Sequence, residues 1–204
     1  MGEYKCSERT RTRIYQAAQD LFAEKGFKDT SLLDIAERAN ISTGTLYRYY
    51  PSKSDFLLSV ANGALDELSY LAESLPENMP CVEKIYSLME KDMIYCQDAL
   101  SYTKDDDDEQ YYMHLAHRSA IYSSVKNLRY AYGNRSALAD IYKKIIISGI
   151  EREEIASYVD ADNIADLLVA FFFRQFDLAL LEPKGEGSLE SLRDKLASLF
   201  RLMS

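Results

Sequence analysis

Three closely spaced helix starts dominate residues 31–55, SLLDIAERANISTGTLYRYYPSKSD. Each start is a serine, and Ser31, Ser42 and Ser52 can each accept a hydrogen bond from a free amide in the first turn of a helix. Ser31 and Ser52 are followed three residues later by an acidic residue, which completes a capping box. The spacing predicts three helices, over about 31–39, 42–50 and 54–73.

The residues around these starts also fit short helices joined by tight turns. An apolar stripe predicts an earlier helix from about Glu8 to Lys25, which ends at Gly26 because glycine readily takes a positive φ. Asn40 tolerates the same backbone conformation between the second and third helices. A short helix, a tight turn and another short helix are the plan of the helix-turn-helix motif, whose second helix enters the DNA major groove.

The predicted helix over 42–50 has one apolar side and one polar side. Leu46 and Tyr50 are four residues apart and supply the buried side, while Gly44 permits a close backbone approach. The polar side offers hydroxyls, a guanidinium and flat rings that suit base edges, although a solvated helical turn would show the same pattern. Its residues are Thr43, Thr45, Tyr47, Arg48 and Tyr49.

The N-terminal quarter of the chain resembles the tetracycline-repressor (TetR) family of bacterial transcription regulators. The resemblance is carried by RIYQAAQDLF at 13–22, KGFKDTS at 25–31, DIAERA at 34–39 and STGTLYRYYPSKS at 42–54. The family usually has glycine where this chain has Asn40 and phenylalanine where it has Tyr50. Asparagine also accepts a positive φ, and tyrosine keeps the aromatic ring, so both departures preserve the local roles.

The resemblance implies DNA contacts at matching positions. Thr30 or Ser31 would meet a phosphate, and Ser42 begins the groove-facing helix. Thr43, Gly44, Thr45 and Tyr47 would face bases and the adjacent backbone, while Tyr49 and Lys53 would hold phosphates. Arg9, Arg11 and Arg13 would add contacts from an N-terminal arm unless they are solvated.

Apolar periodicity predicts helix along nearly the whole chain, about nine helices with no competing strand pattern. The all-α chain would comprise a three-helix helix-turn-helix DNA-binding domain over 1–53 and a connecting helix over 54–74. After the linker LPENMP, a larger helical domain over 81–204 would bind an effector and form the dimer. Its predicted helices cover about 81–103, 109–131, 135–148, 160–182 and 188–203.

The last two predicted helices look like a dimer interface. The helix over 160–182 is apolar on nearly every side, and the final helix has leucines at three- and four-residue spacing. A four-helix bundle with two helices from each subunit would cover both, which the resemblance also implies; burial within one domain is the alternative. The interface candidates are Leu168, Phe171, Leu178, Leu189, Leu192, Leu196 and Leu199.

Tyrosines and methionines concentrate between positions 86 and 142, where they suit an adaptable, largely apolar pocket or ordinary helix packing. Residues 1–60 contain nine Lys/Arg and eight Asp/Glu, whereas the other 144 residues contain 15 and 25. The acidic second part makes a neutral or cationic effector more favourable than an anionic one. The pocket candidates are Tyr86, Met89, Met93, Tyr111, His114, Tyr122 and Phe172.

These features favour a cytoplasmic, homodimeric transcription regulator that binds double-stranded DNA. We expect a repressor that binds a palindromic operator and is released by a small apolar or aromatic effector. An architectural DNA-binding dimer without an effector is the alternative. A metal-dependent enzyme using His114 and His117 is less favoured, because no third ligand stands at a persuasive position.

Other features exclude several classes of protein. Three cysteines without a CxxC pair do not form a disulfide scaffold and fit a reducing cytoplasm. The N-terminus MGEYKCSERTRTR lacks the apolar stretch of a signal peptide. The longest apolar run, 167–173, is far shorter than the ~20 residues that span a bilayer. We therefore predict no catalytic residue, metal, cofactor or membrane contact.

Overall fold

The computed structural model describes residues 8–60, 63–100, 119, 121–122, 124–182 and 184–204. Within these ranges the chain is helical and contains no strand, which confirms the all-α prediction. Among the described helices, none combines the length and apolar character that a membrane crossing requires. The nine described helices are α1 (Glu8–Asp29), α2 (Leu32–Arg38), α3 (Thr43–Tyr49), α4 (Lys53–Val60), α5 (Gly63–Ser74), α6 (Cys81–Leu100), α7 (Val125–Glu151), α8 (Ala161–Leu181) and α9 (Leu189–Met203).

The chain divides into two compact units. The first comprises 1–62 with 97–128, and the second comprises 63–96 with 129–204. Helix α4 belongs to the first unit and α5 to the second. Residues 61 and 62, inside the predicted helix over 54–73, lie outside the described residues. The domain boundaries at 53, 74 and 81 therefore stay predictions.

The predicted helix caps are present in the first unit. The amides of Asp34, Thr45 and Asp55 donate to the hydroxyls of Ser31, Ser42 and Ser52, each at 3.1 Å. The Asp34 carboxylate also accepts from the Ser31 amide at 2.7 Å, which completes the capping box. Gly26 has the expected positive φ, 79°, but it kinks α1 instead of ending it, and the helix continues to Asp29. Asn40, between α2 and α3, has a φ of 51°.

An aromatic cluster forms part of the core of the first unit. The ring of Phe56, in α4, lies 5.6 Å from Tyr15 in α1 and 5.2 Å from Tyr50 just after α3. It also lies 6.4 Å from Phe22, whose ring contacts Phe27 at 5.3 Å. Phe56 therefore joins the first helix, the end of the third and the fourth through one buried side chain.

Four helices of the second unit form a closed ring of neighbours. The Cys81 thiol on α6 donates to the Ile145 carbonyl on α7, and Lys143 on α7 pairs with Asp162 on α8 at 2.6 Å. The Lys195 ammonium on α9 donates to the Gln175 side chain on α8 at 3.2 Å. The ring closes between α9 and α6, where the Arg193 guanidinium meets Glu83 at 3.1 Å and covers the Tyr86 ring.

The predicted helix boundaries over 109–148 are wrong where the structure describes them. Helix α7 begins after Ser124, whose hydroxyl accepts from the Asn127 amide, and it continues through Gly133 and Asn134. A glycine inside an exposed helix weakens the helix without ending it. The helix also passes Gly149, where a Cβ would overlap the Cys81 thiol, so this glycine serves helix packing.

Three of the seven predicted interface residues instead fill the inside of the subunit. Leu168, Leu192 and Leu196 are fully buried in the single chain, because α8 and α9 turn these faces toward the other helices of the ring. They are therefore not available for contact with a second subunit. The other four candidates, Phe171, Leu178, Leu189 and Leu199, are half-buried.

Two glycines of the second unit should respond to the same substitution in opposite directions. Gly133→Ala should raise the free energy of unfolding by about 0.5–1 kcal/mol, because a Cβ there meets nothing within 4 Å and alanine favours the helix. Gly187→Ala should lower it by about 1–3 kcal/mol, because a Cβ there would overlap the Leu178 carbonyl and the Ala179 backbone. Urea unfolding of both variants measures the two changes, and equal effects would contradict this packing.

Candidate nucleic-acid interface

Helix α3 is held by its apolar side and presents a polar side. Leu46 is completely buried, whereas Tyr47 is 48% exposed. Ser42, Gly44 and Arg48 are also exposed, and the remaining polar residues, Thr43, Thr45 and Tyr49, are half-buried. The face that the sequence assigns to DNA is therefore the outward face of this helix.

The polar side chains at the two ends of α3 are positioned by neighbours on the same helix. The hydroxyls of Ser42 and Thr45 share a hydrogen bond of 2.7 Å, next to the cap that Ser42 provides. At the other end, the Arg48 guanidinium lies 5.4 Å from the centre of the Tyr49 ring, within cation–π range. These contacts limit the rotamers that the groups would otherwise sample.

The structure distinguishes Thr30 from Ser31, the two residues before α2 that the sequence offers as a phosphate contact. Thr30 is 1% exposed, and its hydroxyl donates to the Gly26 carbonyl at 2.8 Å. This side chain ties the residue before the α2 cap to the kink in α1, so it is not available to a phosphate. Ser31 is exposed, and its hydroxyl and amide both lie at the surface in the capping box.

Lys53 has a different environment from the one that a phosphate contact predicts. Its ammonium donates to the carbonyls of Phe27 at 2.6 Å and Thr30 at 2.9 Å, with a longer contact to Lys28 at 3.3 Å. It also lies 4.1 Å from the centre of the Phe27 ring. An ammonium has three donors, and these three carbonyls account for all of them. Lys53 therefore ties the start of α4 to the end of α1 and to Thr30, just before α2.

Arg13 also makes a structural contact that the sequence does not reveal. Its guanidinium donates to the carbonyls of Ala39 and Asn40, where α2 ends. The last carbonyls of a helix lack partners within the helix and carry partial negative charge, so a guanidinium stabilises them. Arg9 and Arg11 are exposed on α1 and stay candidates for arm contacts.

Charged pairs fix the outer side of α2. The pKa of Asp34 lies well below its usual range, because Lys25 pairs with it at 2.9 Å and Ser31 donates to it. The two nitrogens of Arg38 bind Glu24 at 2.8 and 2.6 Å and lower the pKa of that carboxyl. Both carboxylates therefore stabilise the fold at neutral pH, and this contribution is lost in acid as they are protonated.

The predicted effector residues fall into three groups. Tyr86, Met89, Met93 and Phe172 are buried in the second unit. Tyr122 is 62% exposed, which does not fit a residue that lines an internal pocket. Tyr111, His114 and His117 lie outside the described residues. Among the residues that are described, no cluster of three or more His, Cys, Asp or Glu side chains could hold a metal ion.

Comparisons with known proteins agree with this geometry. Residues 14–60 match the model of bacterial regulatory proteins of the tetR family. The chain is similar to the helix-turn-helix-type transcriptional regulator HbdR of Aromatoleum sp. (strain CIB), with 40% identity over 62 residues, 30% of this chain and 27% of HbdR. The chain thus spans only about a quarter of the length of the curated relatives that it matches.

The likeness to solved structures extends over nearly the whole chain. A TetR transcription regulator from Haloarcula marismortui has 19% identity and a TM-score of 0.70, and the match covers 97% of this chain and 99% of that one. Thermus thermophilus FadR, a TetR-family transcriptional repressor solved with lauroyl-CoA, has 22% identity and a TM-score of 0.66, with 93% and 92% covered. Residues 14–60 of the chain thus match the tetR family of bacterial regulatory proteins, and the fold of the whole chain is similar to that of solved TetR-family regulators.

Proposed function

We propose that this protein is a ligand-responsive transcription regulator that binds a palindromic operator as a dimer and acts as a repressor. The observation that supports it best is the outward polar face of α3, held by the burial of Leu46 and by capped helix starts. Nothing in this proposal requires a catalytic residue, since the named relatives are transcription regulators.

In the proposed complex α3 lies in the major groove. Thr43, Thr45 and Tyr47 face base edges, and Gly44 lets the helix approach the DNA backbone closely. Ser31 and Tyr49 bind phosphates on either side, with Ser42 at the start of the groove-facing helix. Thr30 and Lys53 act indirectly, because their polar groups hold the turn that precedes α2.

We place the dimer interface on the outer faces of α8 and α9. On α8 the stripe includes exposed Leu167 and Leu181, with half-buried Phe171 and Leu178 between them. Exposed Leu202 on α9 joins it. The contact between Gln175 and Lys195 and the short connection between these helices place Leu167 and Leu202 toward the same end. An apolar stripe of this kind is a self-complementary surface for a two-fold dimer.

The second unit is the proposed effector domain. Thermus FadR, which has the same fold, was solved with lauroyl-CoA, and this supports a ligand within the helices of this chain. An effector that releases DNA must bind the DNA-free form more tightly, typically by about 5–150-fold. The coupling is reciprocal, so operator DNA weakens effector binding by the same factor. An architectural dimer would show no such coupling.

Tyr47→Ala should weaken operator binding by about 1–3 kcal/mol, because Tyr47 faces the bases. Binding to unrelated duplex should change much less, since phosphate contacts remain. Fluorescence anisotropy with a palindromic operator and a scrambled duplex measures both. Tyr158→Ala removes a tyrosine that is more exposed than Tyr47 and lies in the second unit, and it should leave both affinities unchanged. Equal loss on both duplexes would place Tyr47 outside the base-reading face.

A double variant, Leu167→Glu with Leu202→Glu, should be a folded monomer. Both side chains are more than half exposed in one subunit, so the change costs little within it but puts charge into the proposed interface. Sedimentation equilibrium should show the wild-type dimer and the monomeric variant, and operator affinity should fall because a monomer meets one half-site. Tyr70→Glu places the same charge elsewhere in the second unit as a control. A variant that remains dimeric would refute this interface.

Lys53→Met should destabilise the protein by about 1–2 kcal/mol, because three carbonyls lose a charged donor. Operator affinity should fall with it, but the salt dependence of binding should not change. If a dimer neutralises roughly eight phosphates, the slope of log affinity against log salt is about −7 in both proteins. Lys144→Met, which removes an exposed charge from α7, is the control for stability. A slope smaller by about two per dimer would show that Lys53 binds phosphate instead.

A further inference from the structure

Ala170 lies at the middle of the outward face of α8. It is exposed, whereas Leu168 and Phe172, two residues to either side, are almost completely buried. In an α-helix a separation of two residues turns a side chain by about 200°, so these two face the opposite side of the helix from Ala170. A small exposed side chain allows a second helix to approach closely, because the distance between packed helices depends on the side chains at the contact.

Four side chains surround Ala170 on this face. The neighbours of a residue on a helix surface are those three and four positions away, here Asp166 and Leu167 on one side and Phe173 and Arg174 on the other. Asp166, Leu167 and Arg174 are exposed, and Phe173 is half-buried. Each apolar neighbour is three positions from Ala170, and each charged neighbour is four. The face therefore carries a negative and a positive group at equal distances from its centre.

Asp166 and Arg174 cannot satisfy each other within one helix. Eight residues separate them, about 12 Å along the helix axis, which is far beyond ion-pair distance. Within the described part of the chain neither has an ion-pair partner, whereas Asp162 on the same helix pairs with Lys143 on α7 at 2.6 Å. Both charges are thus available to another molecule.

Phe173 is held in place by two neighbours in its own subunit. Its ring centre lies 5.6 Å from that of buried Phe172, and the Arg135 guanidinium on α7 lies 4.5 Å from it. Ordering a side chain at an interface costs free energy, and a ring that is already positioned avoids much of this cost. Phe173 is therefore a prepared apolar contact beside the Arg174 charge.

We propose that α8 packs in antiparallel orientation against α8 of a second copy of this chain, with the two-fold axis at Ala170. A two-fold axis there exchanges residues at equal distances on either side of Ala170. Asp166 then meets the partner's Arg174, Leu167 meets the partner's Phe173, and each contact occurs twice. The proposal rests on the dimer of the proposed function, and it assigns to that dimer an axis and the charges that specify self-association.

Another position of the axis on the exposed stripe of α8 fits less well. The stripe extends over 167–181, so an axis at its midpoint, Arg174, would overlap the whole stripe with its copy. It would also place the two Arg174 guanidinium groups against each other and Asp166 against the partner's Glu182. Like charges across an interface oppose association, and interfaces exclude wrong registers and wrong partners in this way. Charge complementarity therefore favours the axis at Ala170.

Two charge reversals test this pairing. Asp166→Arg places two arginines at each contact of its own dimer, and Arg174→Asp places two aspartates there. Each variant alone should have a dimer dissociation constant about 10–100-fold above that of the wild type, because two attractive pairs become two repulsive ones. An equimolar mixture should form a heterodimer of near wild-type affinity, since each contact again joins opposite charges. Sedimentation equilibrium and native mass spectrometry of the full-length proteins measure both.

Matched controls separate this pairing from a general effect of charge. The double variant Asp166→Arg with Arg174→Asp exchanges the two charges and should dimerise as the wild type does. Asp140→Arg and Lys144→Asp reverse exposed charges on α7 and, alone or mixed, should leave the dimer affinity unchanged. The preference for the heterodimer should decrease as salt rises from about 0.05 to 0.5 M, because salt screens exposed charges.

The same measurements can overturn the axis at Ala170. Single variants that dimerise as tightly as the wild type, or a mixture without preference for the heterodimer, would refute the pairing of Asp166 with Arg174. A tighter dimer of Asp166→Arg would place the axis at Arg174 instead, because the new arginine would then face the partner's Glu182.

Operator binding by the same proteins tests the proposed function separately. The single variants should bind operator more weakly and their mixture should regain wild-type affinity, since two half-sites require a dimer. A wild type that is monomeric would refute the proposed dimer and this axis with it. A dimeric wild type whose variants show no heterodimer preference would refute the axis alone. A clear preference in proteins that bind no DNA would refute the regulator and leave the axis standing.

Discussion

The burial of Leu46 is the contact on which the proposed DNA-reading face depends. Helix α3 has seven residues, and a helix of that length is not stable in water without contacts to the rest of a fold. Leu46 is fully buried, and Tyr50, directly after the helix, packs edge-on against Phe56. These anchors determine which way the helix is turned about its axis. The exposure of Tyr47 and Gly44 then follows from helical geometry.

The local features of this unit could be predicted from the sequence because each depends on a few neighbouring residues. A serine with an aspartate three residues later caps a helix whatever surrounds it, and the predicted caps at Ser31 and Ser52 are present. The positive φ at Gly26 and Asn40 has the same local origin. Together with Leu46, these residues fix the lengths and connections of the short helices.

Contacts between residues distant in the chain could not be predicted in this way. Lys53 lies 26 residues after Phe27, and Arg13 lies 26 before Ala39, so no spacing rule indicates that these cations bind backbone carbonyls. A basic residue beside a DNA-binding motif suggests a phosphate contact. Backbone carbonyls accept hydrogen bonds from the same cations, so the sequence does not distinguish the two acceptors. Leucine spacing on α9 has a similar ambiguity: it identifies an apolar face but not whether the subunit core or a partner covers it. Burial in the structure assigns Leu192 and Leu196 to the core.

Buried Gln175 shows what the proposed effector has to act against in the second unit. Its side chain donates to the Glu186 carbonyl and accepts from Lys195, so its bonds hold α8, the connection after it and α9 in one arrangement. A ligand shifts an equilibrium only by its differential affinity for the two states. The proposed effector must therefore bind these helices more tightly in the arrangement that releases DNA, because equal binding to both arrangements would leave the operator affinity unchanged.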